Sequence, residues 1–244
     1  MLSKIAIPFF IVFLISSCTS PQQSTTLNYR GYKIEKQTTI DSGVYQLLAS
    51  YKEGTDAIMN KVIGFSTRGL YKKQPESELG NFMTDCMKEM SEKKFNKKVD
   101  AAFVNYSGLR SYIPKGDITI GKIYELMPFD NLIVLQDVKG KILLQLLNKI
   151  AEKGGWPLSG LTMQIKEKKP VNILVGGKPL DENAMYTIAN SDYIANGGSE
   201  CDMLQGIPQI SKGYIYRDAL IEYVQLVTKQ GKPVDGKVEG RITY

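Results

Sequence analysis

The sequence predicts a mixed α/β fold, of the α/β or α+β class, and two observations carry that prediction. Segments with apolar residues at helical spacing alternate along the chain with short apolar runs of strand length, instead of gathering into an all-helical or all-strand block. No segment recurs with a period of about 20–50 residues, which removes solenoids and propellers, and no long structureless linker divides the chain. The mature length suits one sizeable core, so one domain is the expectation.

Residues 1–17 read as a signal peptide. Lys4 supplies the positive start, and Ile5 to Ile15 is an apolar run of eleven residues broken only by Pro8, too short to span a bilayer as a helix. The following Leu14-Ile15-Ser16-Ser17-Cys18 resembles a bacterial lipobox. That resemblance implies that Cys18 becomes a lipidated first residue whose acyl chains suffice for stable anchoring, with the body held at the bacterial cell envelope, facing the periplasm or the exterior. Residues 18–40 are then a lipidated polar tether and leading segment, with Pro21, Gln22, Gln23 and Ser24 in its polar part. Residues 41–244 form the folded domain.

Within that domain, Asp41 to Met59 reads as a helix, with Val44, Leu47, Leu48, Tyr51 and Ile58 mostly to one side, and Val62 to Phe65 as a short strand. The clearest helix follows. Leu79, Phe82, Met83, Cys86, Met87 and Met90 make a core-facing stripe, with Gly80 and Asn81 in the first turn. Val99 to Val104 is a strand ending at Asn105, and Ile118 to Leu126 a short helix stopped by Pro128. Leu132 to Val138 is a strand. Ile142, Leu143, Leu146, Leu147 and Ile150 mark a helix ending near Gly154-Gly155. Leu161 to Ile165 and Val171 to Val175 are strands, the second running into a Gly176-Gly177 turn. Met185 to Ala189 is a strand that leads into the loop Asn190 to Cys201. Asp218 to Val227 lies in a last helix, terminated by Gly231-Lys232-Pro233.

Composition excludes several chemistries. The chain has no histidine, which removes the commonest metal ligand and general base and every histidine-activated nucleophile. Besides Cys18, only Cys86 and Cys201 remain; they could pair, although Cys86 lies on the apolar helix face, where a buried free thiol is favoured. The formal charge is +6, but the densest basic stretch, Lys88 to Lys98, reads as a solvated face. It lacks interleaved aromatics, so no nucleic-acid partner is expected. Ser91 and Lys94 have Ser-x-x-Lys spacing within that solvated segment, which reads as chance.

Three polar, glycine-containing segments follow or interrupt apolar elements, as a ligand site on a rigid scaffold requires. In Asn105-Tyr106-Ser107-Gly108-Leu109-Arg110, small residues let backbone amides approach a ligand, and Arg110 offers a bidentate donor fork. In Pro128-Phe129-Asp130-Asn131, the proline directs Phe129 as a stacking surface. In Asp192-Tyr193-Ile194-Ala195-Asn196-Gly197-Gly198-Ser199, Tyr193 offers a second aromatic face beside a glycine loop. Each segment taken alone also reads as an ordinary turn.

Together with Glu78-Leu79-Gly80-Asn81-Phe82-Met83-Thr84-Asp85, these segments resemble in order and spacing the C-terminal domain of the bacterial 5'-nucleotidase, UDP-sugar hydrolase and 2',3'-cyclic phosphodiesterase family, from about Asp41 to Gly240-Arg241-Ile242. The resemblance implies mixed sheets with flanking helices, a leading hinge helix, and a domain that holds base and ribose while a separate metallophosphatase domain performs hydrolysis. Carried over by position, Phe129 and Tyr193 would stack on the base. Asn105, Arg110, Asn131, Gly197, Gly198 and Ser199 complete the implied substrate-binding set. Ser199 stands where the family usually has an aspartate for the ribose hydroxyls, Ser107 replaces a glycine, and an arginine often found before the Gly-Asn helix has only Lys73 as a loose substitute.

The expected function is therefore the nucleoside- or nucleotide-binding half of a split 5'-nucleotidase-type hydrolase in nucleotide catabolism, acting with a separately encoded metallophosphatase lipoprotein. No catalytic residue or cofactor is expected in this chain, and a divalent metal only in the partner. The alternative is a stand-alone envelope ligand-binding or scaffolding lipoprotein without catalysis.

Overall fold

The computed structural model describes Arg30, Gly31 and residues 41–244. The expected signal peptide, Cys18 and most of the expected tether lie outside the described residues. The chain divides into two compact units, Met1–Gln46 and Leu47–Tyr244. Helix α1 (Ser42–Met59) begins in the first unit, where Asp41 accepts from the amides of Gly43 at 2.9 Å and Val44 at 3.1 Å, and continues into the second. The remaining elements lie in the second unit.

Its elements in order are β1 (Val62–Ser66), α2 (Glu78–Phe95), β2 (Ala101–Phe103), β3 (Gly116–Thr119), α3 (Ile120–Leu126), β4 (Leu132–Lys139) and α4 (Gly140–Glu152). Then come β5 (Leu158–Ser159), β6 (Leu161–Lys166), β7 (Lys169–Val175), β8 (Lys178–Pro179), β9 (Met185–Ser191), α5 (Asp192–Ala195), β10 (Ile210–Ile215), α6 (Tyr216–Lys229) and β11 (Ile242–Thr243). The central sheet has the strand order β10-β4-β9-β2-β5; β2 and β9 run parallel and the other neighbours antiparallel. A second sheet has the order β11-β6-β7-β8, and β1 pairs with β3 alone. The fold is thus mixed α/β, with mixed sheets and flanking helices.

The central sheet separates two cores, and its strands show why they are apolar throughout. Successive side chains on a strand point to opposite faces. Ala102 and Val104 join the core made with α2, α3 and α6, whereas Ala101 and Phe103 join the core made with α4 and β6. Ala189 and Ile188 of β9 divide in the same way. A sheet covered on both faces needs no polar alternation. α2 supplies Leu79, Phe82, Met83, Cys86, Met87 and Met90 to the first core as its spacing predicts. It starts at Ser77, whose hydroxyl accepts from the Gly80 amide at 3.1 Å, and stops at Asn96 in the left-handed region at φ 50°. α4 buries Leu143, Leu146, Leu147 and Ile150 in the second core.

Several elements depart from the sequence reading. Ile118 and Thr119 belong to a strand, with Ile118 opposite Gly64 of β1, and the helix begins at Ile120 because the Thr119 hydroxyl caps it, accepting from the Lys122 amide at 3.2 Å. The segment Asn190 to Cys201 is not one loop: Ser191 closes β9 and caps α5, and Gly198–Glu200 forms a 3₁₀ turn. The apolar residues Leu47, Leu48, Tyr51 and Ile58 of α1 are exposed. Cys86 and Cys201 are both buried and free. The last strand is fastened by Arg241, whose two terminal nitrogens donate to both carboxylate oxygens of Asp85 at 2.7 Å, while Ile242 pairs in parallel with Met163 of β6. No helix among the described residues is long and apolar enough to cross a membrane.

Candidate functional site

Topology brings the three polar segments to one end of the central sheet. β2 and β9 are parallel, so Asn105 and Asp192 leave the sheet at the same end, and β4, antiparallel to β9, begins at that end just after Asn131. Between these segments lies a cavity of about 310 Å³. Phe103, Met87 and Met127 contribute apolar lining, with Tyr216 beside them. Its polar and aromatic lining includes Asn105, Arg110, Phe129, Asn131, Ser191 and Tyr193. Five residues singled out from the sequence, Asn105, Arg110, Phe129, Asn131 and Tyr193, therefore share one cavity.

Each segment is fixed by identifiable bonds. After β2 the chain turns through a 3₁₀ turn, with the Gly108 amide donating to the Asn105 carbonyl at 2.9 Å. A Cβ on Gly108 would stand 2.7 Å from Asn105 Oδ1, so glycine lets the amide side chain fold over the turn. Asn105 is buried, and its Nδ2 donates to Ser107 Oγ at 2.9 Å and to Ser199 Oγ at 3.4 Å. The Arg110 amide donates to the Leu126 carbonyl at 3.1 Å, and the guanidinium lies 5.8 Å from the centre of the Phe129 ring. Lys72 braces the same turn, donating to the Leu109 carbonyl at 2.9 Å.

The Phe129 segment is held by α6. Arg217 donates from Nη1 to the Phe129 carbonyl at 3.1 Å and from Nη2 to Asp130 at 2.5 Å, while its guanidinium sits 4.2 Å from the centre of the Tyr124 ring. The Tyr216 amide donates to the Asn131 carbonyl at 2.9 Å. Sequence reasoning missed Arg217, because the groups it holds lie 87 and 88 positions away along the chain. It also missed the apolar residues of the cavity, because Met87 and Phe103 read simply as core.

Gly197, Gly198 and Ser199 stand behind Tyr193 and do not line the cavity. The Ser199 amide donates to the Tyr193 hydroxyl at 3.2 Å, and a Cβ on Gly198 would stand 2.5 Å from the Tyr193 ring. Phe129 and Tyr193 keep 36% and 48% of their surface exposed, far more than a phenylalanine or tyrosine packed as core.

The cavity is lined mainly by uncharged groups. Among the described residues, Arg110 is the only charged one in its lining, and no carboxylate lines it. Tyr216 is held neutral by complete burial, which pushes its phenol well above the ordinary value, and its hydroxyl donates to the Met83 carbonyl at 2.7 Å. Among the described residues, no group of three or more His, Cys, Asp or Glu side chains could hold a metal. Flat rings with exposed faces, two side-chain amides and one guanidinium suit a planar heteroaromatic ligand with polar edges.

The family model of the 5'-nucleotidase C-terminal domain matches residues 61–206. A 5'-nucleotidase of Vibrio vulnificus is 26% identical over 83% of this chain and 37% of its own length. The trifunctional nucleotide phosphoesterase protein YfkN of Bacillus subtilis is 26% identical over 90% of this chain and 16% of its own. The crystal structure of a 5'-nucleotidase precursor from Thermus thermophilus superposes with a TM-score of 0.72 at 29% identity, over 83% of this chain and 43% of that one. The chain thus spans less than half the length of each of these relatives.

Proposed function

This chain belongs to the 5'-nucleotidase C-terminal domain family, and from that premise we propose that its cavity binds the nucleoside portion of a nucleotide. Phe129 and Tyr193 form the aromatic walls for the base. The amides of Asn105 and Asn131 meet polar edges, and Arg110 meets the sugar or the phosphate side. The observation that carries the reading is the meeting of two exposed aromatic rings, two asparagines and an arginine at one cavity of about 310 Å³. Stacking on aromatic rings contributes about 1–3 kcal/mol per base, so the two walls contribute substantially to the affinity.

The proposal extends to the reaction. The 244 residues contain no histidine. We propose further that metal-dependent cleavage of the phosphate ester is performed by a separately encoded metallophosphatase, with this chain as the substrate-binding half. The polar and apolar pattern around Cys18 supports a lipid-anchored protein of the bacterial cell envelope.

Calorimetric titration of the full-length protein with adenosine, AMP and UDP-glucose tests the reading, once with magnesium and once with EDTA. Micromolar binding that is indifferent to metal is the expected result. Absence of binding to every one of these ligands would overturn it, and would favour a scaffolding role.

A further inference from the structure

The 3₁₀ turn behind Tyr193 has an unusual backbone. Ser199 and Glu200 are consecutive non-glycine residues in the left-handed region, at φ 57° and 65°, following Gly197 at 90°. Residues with a Cβ populate this region sparsely and stay there only where their surroundings hold them. The holding groups come from the last turn of α4 and the residue that caps it. Lys149 and Lys153, one helical turn apart, both end on the Glu200 carboxylate, Lys149 at 3.4 Å and Lys153 in closer contact. Lys149 also pairs with Glu152 at 2.7 Å, so the four side chains form a network. The hydrogen bond from Lys153, then its charge, then Lys149 hold the Glu200 carboxyl below its ordinary value.

The opposite side of the same turn touches the cavity wall. The Ser199 amide holds the Tyr193 hydroxyl, Ser199 Oγ meets Asn105, and the Gly198 backbone lies against the Tyr193 ring. None of Lys149, Lys153 and Glu200 lines the cavity.

We propose that Lys149, Lys153 and Glu200 form an ionic clasp that positions Tyr193 and Ser199 for ligand binding. The clasp holds the left-handed turn, and the turn fixes the tyrosine ring that forms one wall. The inference rests on the reading of the cavity as a nucleoside site. The clasp is partly exposed, with Glu200 at 61% and Lys153 at 42% side-chain exposure, so its effect is modest and screened by salt.

Adenosine carries no charge, so any salt dependence of its binding reports on the protein. The test uses the full-length protein, the Lys149→Met/Lys153→Met double variant and Glu200→Gln. Lys93→Met, which removes an exposed ion pair to Glu89 elsewhere on α2, serves as the control. Two quantities are measured: amide hydrogen exchange of residues 192–204 without ligand, and adenosine affinity at low and high salt. In the clasp variants, exchange of that segment is expected to be at least about five-fold faster and binding about three- to ten-fold weaker, on the scale of exposed ion-pair networks. Wild-type affinity should fall with salt and that of the clasp variants should not. Lys149→Arg/Lys153→Arg should restore both readouts, and the control should move neither. Wild-type exchange in the clasp variants, or wild-type affinity in them, would overturn the proposal. A wild-type protein that binds no adenosine would sink the nucleoside reading, while the exchange measurement would still decide whether the clasp holds the turn.

Discussion

The backbone amide of Leu132 donates to Asp192 Oδ1 at 3.1 Å, and that same oxygen accepts from the amide of Tyr193 at 2.9 Å. One carboxylate oxygen therefore ties the start of the strand after Phe129 and Asn131 to the helix that presents Tyr193. The two aromatic walls belong to distant segments, 60 positions apart across this bond, yet they share a hydrogen-bonded hinge point. A site of this construction responds as a unit when either wall is disturbed.

The walls themselves give the first prediction. Phe129→Ala and Tyr193→Ala should each weaken adenosine binding by roughly ten- to a hundred-fold, from about 1–3 kcal/mol of stacking per base. Both rings are partly exposed, so circular dichroism melts should shift little. Calorimetry of the two single variants and the double variant checks this, and undiminished affinity in the double variant would remove the aromatic site.

Arg217 should matter to both stability and binding. Its side chain is 9% exposed while Asp130 is 79% exposed, so the pair with Asp130 counts for less than the bond to the Phe129 carbonyl. Losing a hydrogen bond from a charged donor costs about 1.5–3 kcal/mol. Arg217→Met should lower the denaturation midpoint and weaken adenosine binding about five-fold; Arg217→Lys should recover part of the stability but less of the binding, because one ammonium cannot span both acceptors.

Gly198→Ala and Gly54→Ala should behave in opposite ways. At Gly198 the new Cβ would stand 2.5 Å from both the ring and the carbonyl oxygen of Tyr193, and the carbonyl cannot give way. Tyr193 must shift, and adenosine binding should weaken about ten-fold, by the steep repulsion at sub-contact distances. At Gly54, within α1, nothing lies within 4 Å, so alanine should stabilise the helix by about 0.5–1 kcal/mol and leave binding unchanged. Thermal melts and titrations of the two variants separate the cases.

The buried thiols should be inert in the native protein. Burial pushes the Cys86 thiol well above its ordinary value and Cys201 up to about 11. The thiolate is the reactive species, and a raised value depletes it at every pH below it. At pH 8 only about one Cys201 in a thousand is ionised, before access is considered. An aromatic disulfide reagent at pH 8 should leave both thiols unmodified in the folded protein and titrate both in guanidinium. Rapid modification of either under native conditions would contradict their burial.

Much of this architecture was legible in the sequence because it is locally determined. The stripe from Leu79 to Met90 and the run Leu143 to Ile150 follow helical period, and both helices appear where the spacing puts them. Ile118 was not legible as strand, since a single apolar residue next to Thr119 fits a helix start equally well until β1 is placed beside it. β10 escaped notice because four of its six residues face solvent and carry no alternation. In the candidate site, Phe129 and Tyr193 stood out through their proline and glycine neighbours. The ion pairs of Glu200 with Lys149 and Lys153 were not, since they join residues 51 and 47 positions apart.

The fastening of the last strand has a consequence for handling the protein. β11 contributes only two residues, but it covers the outer edge of β6, and Arg241 locks it to Asp85. Clipping the chain before Arg241 would strip that cover and leave a row of unpaired amides and carbonyls along β6, a template for cross-molecule strand addition. A truncated product would then be lost to self-association rather than to simple unfolding, and a purification handle placed immediately beside this strand risks the same outcome.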